Sequence, residues 1–486
     1  MSLKNSIKYI VLSSIYSLFT IIGICYQNNN TLESINKPLI LIISFIFFSG
    51  IYFLFMIHIR KFINNKNKIN NKITNFIFDT HPFICPLFII LILWLPFIIG
   101  KFPADPGWDF YEIATRGLKT SHFPYAYSFI CTTLYKNFNN LGLFFISLLH
   151  LIPMLIAFSL VFVYLKKWNT PYLYRYLILA FYSLNILFGS YSITLYSDVI
   201  FSSLLLIYIL IIIDYIDNKK INIPLFIFII ISICLFKKNG FYIILIPTIF
   251  ISIKFKNLFY KILPTIILLV CFSFNSYIKN HHKSSSMLEL SIPIQQISRY
   301  SKKYHNDISE EDINNINKIV DYNIINKAYN PKNVDDAINA GRTNYNYSKK
   351  DRNDFLKTYF KLSIKHPNVY IQAFLNNTYN LYYPYQNSTP LIFNNYKPYI
   401  KNYINIVESI PLINYLDEPA FYIWIFIFLV IIVIKNKLNL LPIIPLIIVF
   451  ITCLFGPAIY LHTRYALSII FTIFPLCCYY KKKLNN

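Results

Sequence analysis

The chain has 486 residues, of which 56% are hydrophobic, and its formal net charge is +24 at pH 7. A mean hydropathy of +0.48 argues against an ordinary soluble protein, because a water-facing surface needs more polar residues than this chain offers. The positive charge does not indicate nucleic-acid binding, because much of it lies in short loops between apolar segments, where it sets membrane orientation and contacts anionic lipid headgroups.

Apolar segments of the length that crosses a hydrocarbon core of about 30 Å recur along the chain, and we predict an all-α polytopic membrane protein with about twelve transmembrane helices. The first segment follows Lys4 and Lys8 but lacks a small-residue cleavage site, which favours a retained helix over a signal peptide. The predicted spans are 10–26, 38–57, 82–100, 142–165, 173–191, 197–213, 221–236, 241–253, 262–278, 419–434, 438–455 and 464–480.

Basic residues in the connections predict the orientation of these spans. The segments rich in Lys and Arg all fall on one side: 58–81, 166–172, 214–220, 254–261, 435–437 and 481–483. The positive-inside rule places that side in the cytoplasm, together with both termini. We therefore expect a multi-pass protein of the cytoplasmic membrane, in contact with membrane lipids.

Two long segments fall on the opposite side. The first, 101–141, is an outer loop within a membrane block that covers 1–278. The second, 279–418, is polar and predicts a mostly helical extracytoplasmic domain, after which 419–486 returns to the membrane. Within that domain, Ser309 precedes three acidic residues, which predicts a helix start because these groups satisfy free N–H groups and the helix dipole.

One predicted outer turn runs against the charge rule. Lys237 and Lys238 interrupt a long apolar stretch, and a lysine near the centre of a span costs roughly 2.5–3.5 kcal/mol. The flanking spans 221–236 and 241–253 are shorter than a full hydrocarbon core, so we expect the tip to be sunk below the headgroups or into a cavity. Snorkelling to lipid phosphate and fixed binding of a phosphorylated lipid substrate would both offset the cost.

Other polar residues gather at the same predicted outer end: Asp105, Asp109, Glu112, Arg116, His122, Asp198, His462 and Arg464. Acids, bases and cations at one end of a bundle are typical of an interfacial active site.

Six of these residues also have a structural explanation. Asp109 and Glu112 fit a capping box at the start of a short helix, and Asp105 fits the turn before a Pro-Gly pair. Asp198 fits a helix cap, and Arg464, with the histidine two residues before it, fits an anchor at headgroup level.

Cysteine and histidine patterns predict no definite metal site or cofactor. The eight cysteines lie almost entirely within apolar runs, without a CxxC motif, and we expect them to be small core residues. Asp105 and Asp109 are the candidate ligands if the reaction uses a divalent cation.

Several stretches resemble a known superfamily. The segment Trp108-Asp109-Phe110-Tyr111-Glu112, continued to Leu118 and followed by His122-Phe123-Pro124, resembles the first outer loop of GT-C glycosyltransferases, which carries an essential Asp in the mannosyltransferase and aminoarabinose-transferase families. Five further stretches resemble more closely a bacterial family of GT-C-like membrane proteins that is poorly characterised: Tyr196–Val199, Leu235–Gly240, Leu290–Arg299, Lys365–Pro367 and Arg464–Leu467.

The resemblance implies an enzyme with a GT-C-like bundle, working at the outer membrane face of a bacterial cell. It would transfer a sugar from a polyprenyl-phosphate donor to a glycan, lipid or protein acceptor of the cell envelope. Such a transfer needs a base near the acceptor hydroxyl and cations on the departing phosphate. We expect Asp109, assisted by Glu112, to act as the base or to orient the acceptor, and Lys237, Lys238 and Arg464 to bind the phosphate.

The remaining residues expected to bind substrate are Arg116, His122, Asp198, Gln295, Gln296, Arg299 and His462. A tandem acidic pair, common in GT-C loops, is absent here because Phe110 follows Asp109. The metal requirement and the role of the acid therefore stay open.

Two other functions remain as alternatives. A lipid-linked polysaccharide polymerase or ligase would take a lipid-pyrophosphate donor and depend on His462 and Arg464 more than on Asp109. A lipid or glycolipid transporter predicts charged or helix-breaking residues near the membrane midplane and pseudo-repeated halves, and the sequence shows neither clearly.

Overall fold

A computed structural model describes residues 3–32, 38–64, 71–116, 123–281, 287–340, 347–384, 397–409, 414–456 and 463–485. Every regular element in these ranges is helical, apart from one isolated bridge between Asp105 and Thr194. The predicted all-α fold class is confirmed.

The α-helices of the described ranges are, in chain order, α1 (Leu3–Asn29), α2 (Pro38–Asn64), α3 (Lys72–Asn75), α4 (Ile84–Gly100), α5 (Gly107–Arg116), α6 (Tyr125–Lys167), α7 (Tyr172–Leu184), α8 (Ile186–Tyr191), α9 (Ser197–Asn218), α10 (Ile223–Phe236), α11 (Gly240–Ile253), α12 (Leu258–His281), α13 (Ser291–Lys303), α14 (Glu310–Asn317), α15 (Tyr322–Ala328), α16 (Val334–Ala340), α17 (Lys349–Lys365), α18 (Pro367–Asn377), α19 (Pro398–Ser409), α20 (Pro419–Lys435), α21 (Ile444–Phe455) and α22 (Leu467–Asn485).

Several of these helices could span a membrane. Within the described residues, four are long and apolar enough to do so: Tyr9–Asn29, Tyr125–Lys167, Ser197–Asn218 and Leu258–Ile278. A fifth span results if Lys72–Thr80 and Ile84–Gly100, which are bent by 100°, cross together. The predicted membrane character is supported, whereas helix length and composition do not establish a count of twelve.

The long helix α6 consists of two segments. Its 43 residues would extend about 65 Å as one rod, far more than a hydrocarbon core of about 30 Å. Asn139 breaks the rod with a left-handed φ of 48°, and an added Cβ at nearby Gly142 would overlap the carbonyl oxygen of Leu134. The part after Asn139 corresponds to the predicted span 142–165.

Helix α9 runs through the centre of the bundle. It is apolar on all sides and packs against α6, α10 and α22, as expected for a helix without a polar face. Two hydroxyl contacts tie it to its neighbours: Ser202 to Ser468 at 2.8 Å, and Tyr208 to Thr248 at 2.7 Å. This packing fixes the position of its first turn, which carries Asp198.

The hairpin of α10 and α11 places Lys237 at a rigid tip, and its helix bounds follow the predicted spans closely. The Lys237 N–H donates to Ile233 O at 3.1 Å, and the Gly240 N–H donates to Lys237 O at 2.9 Å. A Cβ at Gly240 would overlap Ile233 O, so the turn is as tight as glycine allows. Asn275 of α12 donates to Cys234 O at 3.2 Å and braces the end of α10.

Residues 287–384, called the helical domain below, form a second unit with its own core. Helix α13 packs against α15, α16 and α18 around buried apolar residues such as Ile297 and Tyr300. The Ser309 hydroxyl accepts a hydrogen bond from the Asp312 N–H, which confirms the predicted helix start. Four of the eight cysteines are buried and the other four are partly buried, in keeping with residues of the apolar core.

Candidate functional site

Four charged side chains from four distant parts of the chain form one ionic chain at the predicted outer end. Arg464 donates from Nη1 to Asp109 Oδ2 at 2.6 Å, and its Nε lies 3.9 Å from Asp198 Oδ2. Lys237 forms a close ion pair with the other oxygen of Asp198. The order Asp109–Arg464–Asp198–Lys237 therefore alternates in charge.

The two central members of this chain are deeply placed. The side chains of Asp198 and Arg464 are 9% and 11% exposed, whereas those of Lys237 and Asp109 are 23% and 25% exposed. Arg464 Nε has no hydrogen-bond partner among the described residues, so this buried N–H donor is left unsatisfied. Removal of one member of an ion pair at this depth strongly destabilises the protein, because the other charge is left buried without compensation.

Aromatic rings hold the two cations in place. The Arg464 guanidinium lies 4.4 Å from the ring centroid of Tyr196 and 5.0 Å from that of Tyr465. Lys237 Nζ lies 5.7 Å from the centroids of Phe201 and Tyr465. These contacts restrict rotation of both side chains and are cation–π in character.

Asp105 belongs to the frame of the site. Its N–H donates to Ile193 O at 3.0 Å, its carbonyl accepts from Leu195 N–H at 2.9 Å, and its carboxylate pairs closely with Lys101. The loop before α5 is therefore joined to the loop before α9. Gly107 has a φ of +61° there, a conformation that side-chain-bearing residues rarely adopt.

Burial raises the pKa of Asp109 above its ordinary value. The charges of Asp198 and Glu112 act in the same direction, and Arg464 opposes them. Glu112 lies one turn further along α5 and is partly exposed. A carboxylate whose pKa moves towards neutrality is better suited to accept a proton than an ordinary exposed aspartate.

The structure changes the interpretation of the two lysines. Lys237 is compensated by Asp198 within the protein and does not need a ligand to balance it, whereas Lys238 next to it is exposed. The charge of Lys237 is therefore already offset by an acid of the protein itself, and an anionic ligand is not required to explain its position.

Three predicted substrate-binding residues lie in the interior of the helical domain. Gln295 donates to Asn330 O at 2.6 Å, and Gln296 donates to Tyr370 O at 3.0 Å. Arg299 donates to the Tyr329 hydroxyl and to Gln372, and its guanidinium also reaches Asn30 O after α1. Their hydrogen bonds hold the domain together and fix its contact with the first helix, which favours a structural role.

His122 and His462 lie outside the described residues, and Arg116 is described only as the last residue of α5. The described part of the chain contains no group of three or more His, Cys, Asp or Glu side chains arranged for a metal ion. The suggested pair Asp105 and Asp109 takes other partners, Lys101 and Arg464.

One residue near the site was not predicted from the sequence. Asp335, on α16 of the helical domain, is close enough for Arg464, Asp109 and Glu112 to act on its charge. Burial raises its pKa, and the neighbouring Asp336 adds to the shift. It lies in a polar segment full of similar acids, so no local pattern could have singled it out.

Comparison with known proteins gives one match. The model of a family described as "Family of unknown function (DUF6020)" matches residues 123–484. That range includes Asp198, Lys237, Asp335 and Arg464, and it begins after Asp109. No curated protein and no solved structure matches the chain.

Proposed function

This chain belongs to the DUF6020 family, and we propose that it transfers a sugar from a polyprenyl-phosphate donor to a cell-envelope acceptor at the outer face of a bacterial cytoplasmic membrane. The observation that carries the proposal is the ionic chain of Asp109, Arg464, Asp198 and Lys237. It combines a half-buried carboxylate of raised pKa with fixed cations. Glycosyl transfer from a phosphate needs both groups, a base for the acceptor hydroxyl and cations for the departing phosphate.

The proposed reaction is a displacement at the anomeric carbon of the donor sugar. The acceptor hydroxyl attacks this carbon, the bond from the carbon to the phosphate oxygen breaks, and the hydroxyl proton moves to Asp109. The products are the glycosylated acceptor, a polyprenyl phosphate that has gained one negative charge, and protonated Asp109. Arg464 and the two lysines would stabilise the charge that develops on the leaving phosphate.

The pairing in the ligand-free chain suits this sequence of events. Arg464 donates a hydrogen bond to Asp109. A phosphate that binds Arg464 would weaken this ion pair and leave the Asp109 carboxylate able to interact with the acceptor. Exposed Lys238 would make the first contact with the phosphate, and paired Lys237 would strengthen it. In this proposal the twelve-span topology, with both termini in the cytoplasm, places the charged tip at the outer headgroups.

Binding of the lipid product tests the phosphate site without knowledge of the sugar. In nanodiscs, we expect polyprenyl phosphate to bind at least about tenfold more tightly than the uncharged polyprenol, because only the phosphate engages the cations. Lys238→Gln should reduce this preference several-fold. Native mass spectrometry would measure both ligands.

Lys220→Gln is the matched control, since it removes one exposed lysine from the loop before α10, whereas Lys238 follows the end of that helix. It should leave the preference unchanged. Equal binding of polyprenol and polyprenyl phosphate by the wild-type protein would rule out the proposed donor site.

The pH dependence of transfer reports the state of Asp109. Because burial raises its pKa, the acid limb of kcat/KM should lie above the ordinary aspartate pKa of about 3.9, with activity rising as the carboxyl loses its proton. Glu112→Gln removes a negative charge that raises this pKa, so the limb should move to lower pH.

Glu310→Gln, on the exposed start of α14, should leave the limb in place. A limb that moves to higher pH in Glu112→Gln, or that does not move at all, would contradict the role of Asp109 as the base.

A further inference from the structure

The helical domain exposes three large apolar side chains on two neighbouring helices. Phe360 and Ile364 on α17 are 60% and 81% exposed, and Ile371 on α18 is 55% exposed. Among the described residues of this domain, no other large hydrophobic side chain is exposed to this degree. Single exposed apolar residues are ordinary, whereas several on one surface indicate a binding partner.

These three side chains lie on the side of α17 and α18 that faces away from the domain core. Leu362 and Ala373 are buried in that core, and each of the three exposed residues lies two positions from one of them in sequence. Two positions are about 200° around a helix, which is nearly the opposite side. The helices are in contact, since the Tyr370 hydroxyl donates to Tyr359 O at 3.2 Å. Phe360, Ile364 and Ile371 therefore form one surface, called the apolar face below.

The apolar face adjoins the outward surface of α21. Phe374, one turn after Ile371 on α18, has its ring centroid 6.0 Å from that of Phe455, the last residue of α21. Phe455 and Ile451 are one turn apart and both exposed, so they form an apolar stripe along α21. Helix α21 lies within the predicted span 438–455, and in that topology the stripe faces lipid.

Aromatic residues fix the end of α18 beside the start of α20. Trp424, in the second turn of α20, donates from Nε1 to Tyr382 O at 2.8 Å, and the Tyr382 hydroxyl donates to Leu375 O of α18 at 2.7 Å. Trp and Tyr are enriched where hydrocarbon meets the headgroups. Helix α20 coincides with the predicted span 419–434, so α18 ends at the level where that span begins on the outer side.

We propose that the apolar face inserts shallowly into the outer leaflet of the membrane, beside α21, and anchors the helical domain on the bilayer surface. Lipid is the occupant that fits, because the face continues the lipid-facing stripe of α21 and lies next to the outer ends of two predicted spans. Interfacial helices bury an apolar side in this way to a depth of about 5–10 Å. Lys357, exposed one turn before Phe360, would reach the headgroup phosphates. This anchor does not depend on the proposed sugar transfer.

Quenching of tryptophan fluorescence by brominated lipid tests the insertion. Ile364→Trp would be prepared in the full-length protein, in nanodiscs of phosphatidylcholine that is either unmodified or brominated near the upper end of its acyl chains. Subtraction of the wild-type signal in each lipid removes the four native tryptophans. The fluorescence of the added tryptophan should fall by at least about half in brominated lipid, because this depth brings the ring to the acyl chains.

Glu311→Trp is the matched control, since it adds a tryptophan at an exposed position of α14. This helix contacts α17 on its core side, where Asn315 donates to buried Thr358 at 3.3 Å. The added fluorescence of this variant should be the same in both lipids. If Ile364→Trp does not fold, a phospholipid with a photoreactive acyl chain replaces the measurement, and it should label residues 360–371 of the wild-type protein.

Insertion is ruled out if the two added tryptophans are quenched equally, or if neither is quenched. In the photolabelling experiment, absence of label from residues 360–371 rules it out. A dimer in native mass spectrometry, together with an unquenched Ile364→Trp, would instead assign the apolar face to a second copy of the chain.

Discussion

Asp109→Asn is expected to reduce sugar transfer by at least about 100-fold while the protein accumulates in membranes at its normal level. An amide cannot accept the proton of an acceptor hydroxyl, so the chemical step loses its base. The same amide can still accept the hydrogen bond that Arg464 donates at 2.6 Å, so the local structure is retained. Incorporation of labelled sugar into cell-envelope glycans, in membranes with matched protein levels, measures the effect.

Asp336→Asn serves as the control for this measurement, because it replaces an exposed aspartate outside the ionic chain. It should transfer at the wild-type rate. Full activity of Asp109→Asn would show that Asp109 is not the base of the reaction. If substitution of His462 or Arg464 abolished activity while Asp109→Asn retained it, the polymerase or ligase alternative would be favoured.

Arg464→Met is expected to destabilise the protein by about 3–5 kcal/mol and to abolish transfer. The substitution leaves Asp109 and Asp198 at the end of the bundle without the cation that joins them, and both carboxylates are largely buried. The free energy of unfolding, measured by denaturant titration in mixed micelles, gives the loss. Arg464→Lys retains the charge and should lose less stability, although a lysine cannot contact both carboxylates with a planar fork.

The triple variant Asp109→Asn, Asp198→Asn and Arg464→Met separates stability from function. Removing the two acids together with the cation avoids uncompensated buried charge, so most of the lost stability should return. Transfer should stay abolished, because base and phosphate contact are both missing. If the triple variant were as unstable as Arg464→Met, packing of the Arg464 side chain between Tyr196 and Tyr465 would account for the loss instead of charge.

Sequence patterns predicted much of the architecture because they depend on local physics. Apolar periodicity and length indicated an all-helical chain with membrane-crossing segments, and most of the structure follows them. The hairpin around Lys237 was predicted within a few residues, because two lysines, an asparagine and a glycine interrupt an otherwise apolar run. The break at Asn139 was not predicted, since a left-handed asparagine leaves no periodic signal.

The sequence predicted that Asp109, Asp198, Lys237 and Arg464 lie at the same end, and the structure brings these four residues together. The individual pairs were not predicted. Asp109 and Arg464 are 355 residues apart, and Asp198 and Lys237 are 39 apart, so no spacing rule connects them. The structure showed that Lys237 already has an acidic partner, and it brought Asp335 towards the site from a separate domain.

By itself, the sequence determined that this protein is helical and rich in apolar segments that could span a membrane. Only the tertiary structure decided which charges meet there, because the partners depend on how α9 packs against α10 and α22 and on where the helical domain rests. A local sequence pattern indicates whether a residue lies within an apolar segment or in a loop. An ion pair requires two side chains from distant parts of the chain to meet, and only long-range packing specifies which side chains do so.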